Sequence, residues 1–172
     1  CMTASIGFRA AGRAELRDEV LQRMLEASER PDPDQLYRDP KQPATDTPAR
    51  IPEGLRQFAA REIARWLAEP DALACALGEV LSEPKPNVWF EGGEPLPTGQ
   101  GARLDRRTRM LYDDRNVYIN GEAFRAAGRD AKLMRRLADD RALQASQLAA
   151  LSDDARELLA QWAEAGWLHA SG

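Results

Sequence analysis

Proline sets the frame of this chain. It fixes its own φ, lacks an amide hydrogen and disfavours helical geometry in the residue before it, so it ends helices and is kept out of central strands. Pro31 and Pro33 close a first helical pattern, and Pro84 and Pro86 close the last of the helical half. Between them, residues 31–52 also hold Pro40, Pro43, Pro48 and Pro52 among Asp and Thr. That stretch reads as an extended connection, with Leu36 and Tyr37 as the side chains that can pin it to a neighbouring surface.

The pattern inside each half follows from spacing. Leu16, Val20, Leu21, Met24 and Leu25 recur at helical intervals and predict a helix over 13–30. Leu55, Phe58, Ile63, Trp66 and Leu67 predict a second over 53–68, broken by Pro70, after which Asp71 can cap a third carrying Leu73, Leu77, Val80 and Leu81. Past Pro86 the period changes. Residues 88–90 are a strand candidate, 92–101 a Gly/Pro loop, and 104–112 alternate apolar with polar. Residues 113–116 form a turn, 117–119 a strand, and Asn120-Gly121 is a strong tight-hairpin signal before 122–124. Three short helices follow over 131–138, 146–151 and from Ser152 onward, the last with Asp153 and Asp154 in its first turn and Leu158, Leu159, Trp162 and Ala163 on its apolar face. Gly166 stops it, and Trp167 and Leu168 can return as a last strand. A small sheet on three short helices is the plan of a winged-helix domain in an α+β chain.

Composition excludes several classes. The net charge is -4, which is not that of a strongly basic nucleic-acid binder. No apolar run approaches the ~20 residues that span a bilayer. The two cysteines, Cys1 and Cys75, make no disulfide framework; they read as reduced thiols in a cytoplasmic protein, with Cys75 on the buried face of its helix. There is one histidine, His169, where zinc, iron and acid–base sites usually draw on several. Residues 2–8 form a short β-type run with no strand neighbour nearby, and a lone strand has no ladder partners. The expectation is that those partners lie in a preceding domain and that the chain is a C-terminal fragment.

Four stretches now resemble a known family. Thr3, Ser5, Ile6, Gly7, Phe8, Arg9 and Ala10 look like the last strand of the catalytic barrel in the cupin-4 (JmjC-type) 2-oxoglutarate oxygenases, whose bacterial members are ribosomal oxygenases that hydroxylate an arginine of a large-subunit ribosomal protein. Leu36-Tyr37-Arg38-Asp39-Pro40, the stretch from Leu77-Gly78 to Pro86, and Val117-Tyr118-Ile119-Asn120-Gly121-Glu122 look like its landmarks in the expected order. Ala4 stands where an aromatic is usual and Ala11 where a proline is usual. The resemblance covers essentially the whole chain. It implies a residual barrel strand at 1–10, a helical dimerisation region at 11–82 containing the connection 31–52, and a winged-helix domain at 83–172. It also implies a homodimer through the helical region and, in the intact parent, a ribosomal protein substrate with Fe(II) and 2-oxoglutarate as cofactors. The family's iron site takes two histidines and an aspartate. One histidine cannot supply that set, so the ligands are expected upstream of Cys1, and this chain alone is expected to hold no cofactor and to be inactive.

Each candidate residue carries a functional and a plain reading. Ser5 is either a hydroxyl that helps hold the 2-oxoglutarate carboxylate in the intact enzyme or an ordinary strand serine. Arg103, Arg106, Arg107 and Arg109 form the one basic cluster: phosphate contacts on RNA or DNA, or a solvated strand face without the interleaved aromatics that stacking needs. Asp113-Asp114 is an acid–base pair or, by the habits of Asp, a turn. Asp139-Asp140 reads as a solvated helix end, and His169 as a residue of a frayed tail. A stand-alone winged-helix regulator or adaptor is the alternative function. Residues 83–172 carry 13 Lys and Arg against 14 Asp and Glu, and the third short helix holds Asp153, Asp154, Glu157 and Glu164 against Arg156 alone, so specific DNA binding is not expected.

Overall fold

A computed structural model describes residues 12–28, 36–40 and 43–171. The expected barrel strand at 1–10, with Ser5, lies outside the described residues. The chain divides into two compact units, Cys1–Ala76 and Leu77–Gly172.

In the first unit, α1 (Arg13–Ala27) buries Val20 and Met24 and ends at Ala27, because Ser28 leaves the helical region. Helix α2 (Glu53–Leu67) buries no residue. Tyr37 pins the proline-rich connection by packing on Phe58, ring centroids 5.5 Å apart, whereas Leu36 stays 71% exposed and pins nothing. Helix α3 (Pro70–Ser82) begins at the proline itself. In the first turn the missing N–H has no partner to lose, so Pro70 starts this helix as well as stopping the previous one.

The second unit holds β1 (Gly101–Leu104), β2 (Met110–Tyr112), β3 (Asn116–Ile119), β4 (Glu122–Arg125), α4 (Gly128–Asp140), β5 (Ala142–Leu143), α5 (Ala145–Ala149), α6 (Asp153–Glu164) and β6 (Leu168–Ser171). They make two small antiparallel sheets, β5-β1-β6 and β2-β3-β4. The central strand β1 comes from before the three helices, so β6 lies beside it without a connecting hairpin. Ala102, Leu104, Leu143 and Leu168 of one sheet and Val117 and Ile119 of the other enclose a single core with Met134 and Leu137 of α4 and Leu159 and Trp162 of α6. The Asn120-Gly121 turn has both φ angles positive, 50° and 91°, the tight-hairpin geometry the dipeptide favours.

One expected strand is absent for a local reason. Residues 88–90 form no strand: the Val88 N–H turns back to the Lys85 carbonyl, and the Trp89 carbonyl is taken by the Arg107 side chain. The alternating run 104–112 holds the last residue of β1 and all of β2, which belong to different sheets. Between them the Asp105 side chain accepts the Arg107 N–H at 2.9 Å and its carbonyl accepts the Thr108 N–H at 3.0 Å, making a turn that alternation alone does not reveal.

The last turn of α3 ties the β2-β3-β4 sheet down. Gly78 lies against the Tyr118 ring, and the Ser82 hydroxyl accepts the Gly121 N–H at 3.1 Å. Ser82 is fully buried and its hydroxyl also donates to the Glu79 carbonyl, so both functions of the group are satisfied.

Candidate functional site

The described residues concentrate their buried and paired charge at the turn between β1 and β2. Asp105 leads it. Its carboxylate accepts from the Arg107 backbone N–H, from Arg107 Nε at 2.9 Å and Nη2 at 3.3 Å, and stands 3.0 Å from His169 Nε2. The hydrogen bonds from the Arg107 side chain hold its carboxyl far below the usual carboxylate range, against a smaller upward push from burial. In return Asp105 keeps the Arg107 guanidinium firmly protonated. Arg141 Nη2 donates to the Asp105 and Thr108 carbonyls at 2.7 and 3.1 Å, and the buried Thr108 hydroxyl donates to the Trp167 carbonyl at 2.7 Å. His169 therefore sits in β6, in register with Arg103, and not in a frayed tail.

The four arginines of the cluster do different things. Arg103 projects from the face of β1 opposite the buried Ala102 and Leu104, and Arg106 is exposed at the tip of the turn. Arg107 Nη1 donates to the Trp89 carbonyl at 3.1 Å and its guanidinium lies 5.5 Å from the Phe90 ring centroid, a cation–π arrangement. Arg109 Nη1 donates to the Glu83 carbonyl at 2.7 Å. Two of the four thus bind the irregular segment 83–90 to the turn. That segment continues into a clamp on α6: the Gly93 N–H donates to the Glu164 carbonyl at 2.9 Å, and neither Gly93 nor Gly166 has room for a Cβ against the facing backbone. Trp89 rides on this fixed backbone with its side chain outward, 69% exposed.

The acidic pairs resolve into structure. Asp113 accepts the N–H groups of Arg115 and Asn116, each at 2.7 Å, and the Tyr118 hydroxyl at 2.5 Å; burial pushes its carboxyl up, but these hydrogen bonds outweigh it and leave it lowered. Asp139 accepts the Tyr112 hydroxyl, and Asp140 pairs with Arg136 at 3.0 Å. Asp153 pairs with Arg156, which removes the one free cation of α6 and leaves Asp154, Glu157 and Glu164 on its exposed face. A surface hollow of about 460 Å³ opens beside β5, lined among others by Gly101, Arg136, Asp140, Gln144, Gln147 and Ser171; it gathers no nucleophile with a base. Cys75 is half-buried, and the fully buried side of α3 is formed instead by Ala76, Gly78 and Ser82. Among the described residues no three His, Cys, Asp or Glu side chains are grouped to hold a metal ion, and no helix is long and apolar enough to cross a membrane.

Comparison with known proteins follows this geometry. Residues 63–169 match the ROXA-like winged helix family model. No curated protein matches the chain. Among solved structures, the Escherichia coli YcfD X-ray structure shares 21% identity and superposes with a TM-score of 0.74 over 96% of this chain and 46% of that one. YcfD, a ribosomal oxygenase from Escherichia coli, in complex with cobalt and succinic acid gives 24% identity and a TM-score of 0.72, over 96% and 48%. Its complex with cobalt and 2-oxoglutarate gives 22% and 0.69, over 97% and 48%. This chain spans about half the length of those structures. The chain's one histidine, His169, is hydrogen-bonded to Asp105, a carboxylate that Arg107 already holds.

Proposed function

The chain belongs to the ROXA-like winged helix family, and on that premise we propose that it is the dimerising and winged-helix portion of a ribosomal oxygenase that uses Fe(II) and 2-oxoglutarate to hydroxylate an arginine of a large-subunit ribosomal protein. The observation that carries this reading is the extent of the likeness: nearly the whole chain, helical unit included, superposes on one half of a ribosomal oxygenase. A regulator would need only the second unit.

In this reading the helical region makes a homodimer. Leu25, Leu55, Ile63 and Leu67 are between 38% and 64% exposed, a loss of apolar burial that a twofold partner would recover. Phe58 and Trp66 of α2 are half-buried, and Met24 is already buried within its own unit. The winged-helix domain acts through its surface rather than as a DNA reader, since α6 presents carboxylates where a groove-binding helix needs cations. Ser5 would line the 2-oxoglutarate site of the assembled enzyme.

Light scattering tests the assembly: the 172-residue chain at micromolar concentration gives twice its monomer mass, and a monomer alone overturns the dimer. Supplied with Fe(II), 2-oxoglutarate and an arginine-bearing ribosomal peptide, the same chain forms no succinate above background. Turnover by the chain, free of contaminating enzyme, overturns its assignment as the non-catalytic part.

A further inference from the structure

The aromatic partner that the arginine cluster lacks in sequence is supplied by the fold. Trp89 lies 18 positions from Arg107 in sequence, yet its carbonyl takes the Arg107 guanidinium, and the ring of its neighbour Phe90 supports the same group. We propose that the β1–β2 turn and the segment 85–90 form a binding site for single-stranded RNA, in which an unpaired base stacks on the Trp89 indole while Arg106, Arg109 and Lys85 face the flanking phosphates. This goes beyond the oxygenase reading and stands without it.

Three observations carry the proposal. The indole is 69% exposed on a backbone fixed at both sides, by Arg107 at Trp89 itself and by the Gly93–Glu164 bond beyond it. A ring presented on a fixed backbone loses little freedom when it is covered. Second, the cations of the turn and of the segment keep their charge available. Arg106 and Lys85 are exposed and make no side-chain hydrogen bond or ion pair among the described residues, and Arg109 donates to a neutral carbonyl. Arg107, compensated by Asp105, is the positioning residue that holds Trp89. Third, one outward aromatic face with cations on the same turn and segment is the combination that unpaired bases and their phosphates recognise, without reading sequence. Glu83 and Glu91 lie on the same segment and oppose a continuous phosphate ridge, and α6 is acidic. The site therefore favours a short single-stranded stretch over a duplex.

Fluorescence polarisation of a short labelled single-stranded RNA, titrated with the 172-residue chain in roughly 100 mM salt, tests this. Trp89→Ala should weaken binding on the order of tenfold, with Trp89→Phe recovering most of the loss. Arg106→Ala should flatten the slope of log affinity against log salt by about one unit. Duplex RNA and duplex DNA should bind at least about tenfold more weakly, duplex DNA in the range of about 10⁻⁴ M or worse. Single-stranded DNA of the same sequence, run alongside, shows whether the 2′-hydroxyl contributes. Trp89 is outward, so Trp89→Ala should melt like the parent. Unchanged RNA binding by Trp89→Ala, equal competition by duplex, or no binding at all overturns the site. Conversion of a dimer into a monomer by Trp89→Ala also overturns it, by assigning the indole to self-association.

Discussion

Gly78 is the position where one methyl group should do most damage. It sits inside α3, and replacing an interior helical glycine by alanine is ordinarily worth about 1 kcal/mol in favour of the alanine. Here the geometry opposes that gain. A Cβ on Gly78 would come closer than 3.0 Å to three atoms of the Tyr118 ring, a separation that real Cβ atoms essentially never show. The ring cannot swing aside at low cost. Tyr118 is 2% exposed in the middle strand of its sheet, and its hydroxyl donates to Asp113 at 2.5 Å, so rotation breaks a charge-assisted bond and opens the packing. Overpacking of this kind costs typically about 1–3 kcal/mol, and the fixed ring places it at the upper end. Set against the helix gain, Gly78→Ala should lose about 2 kcal/mol. For a unit of this size that lowers the melting temperature by roughly 8–16 °C. Thermal melting followed by far-ultraviolet circular dichroism reads the shift, and the double variant Gly78→Ala/Tyr118→Leu should recover part of it. A single variant that melts at or above the parent temperature would show that α3 does not seat on the sheet as described.

Two further perturbations test the site and its support. Asp105 has a depressed folded-state pKa, so its stabilisation is fully present above its unfolded value of about 4 and is lost as the pH falls below it; Asp105→Asn should cost about 2–3 kcal/mol at neutral pH and flatten the fall of melting temperature between about pH 5 and pH 3, and curves that stay parallel would refute the pairing. Ser152 caps α6 by accepting the Ala155 N–H at 3.2 Å and donates to Asp130 at 2.6 Å, so Ser152→Ala should lose about 1–2 kcal/mol in urea unfolding, and a loss below about 0.3 kcal/mol would mean that water replaces the cap.

Local chemistry was legible where one residue decides the conformation. Asn120-Gly121 announced its hairpin because few other pairs tolerate two positive φ angles. Asp153 and Asp154 mark the first turn of α6 in the sequence because carboxylates favour that end of a helix, and the structure adds the Ser152 hydroxyl as its cap. Alternation over 104–112 describes which way side chains face and is silent on where a strand stops; the stop comes from Asp105 bonding to its own backbone neighbours. Residues 88–90 mislead. Val88, Trp89 and Phe90 have strand-forming side chains, but their backbone partners are a turn and a guanidinium, supplied by a residue far along the chain. His169 reads as tail in the sequence because its strand partner, β1, lies more than sixty residues earlier. The family landmarks at 77–86 and 117–122 stood as separate motifs in the sequence. They prove to be one contact, Gly78 on Tyr118 and Ser82 on Gly121, a pairing that no periodicity within either stretch encodes.

We propose above all that this chain is one portion of a longer ribosomal oxygenase. Mass-spectrometric sequencing of the intact protein, recovered from its own cells with an antibody raised against these 172 residues, tests it most directly. The expected result is one polypeptide of about twice this length, given that the chain spans just under half of its structural relatives, with two histidines and an aspartate ahead of Cys1 in a segment that binds iron. A protein that consists of these 172 residues alone, in cells that still form it stably, would contradict the claim and favour a stand-alone winged-helix adaptor.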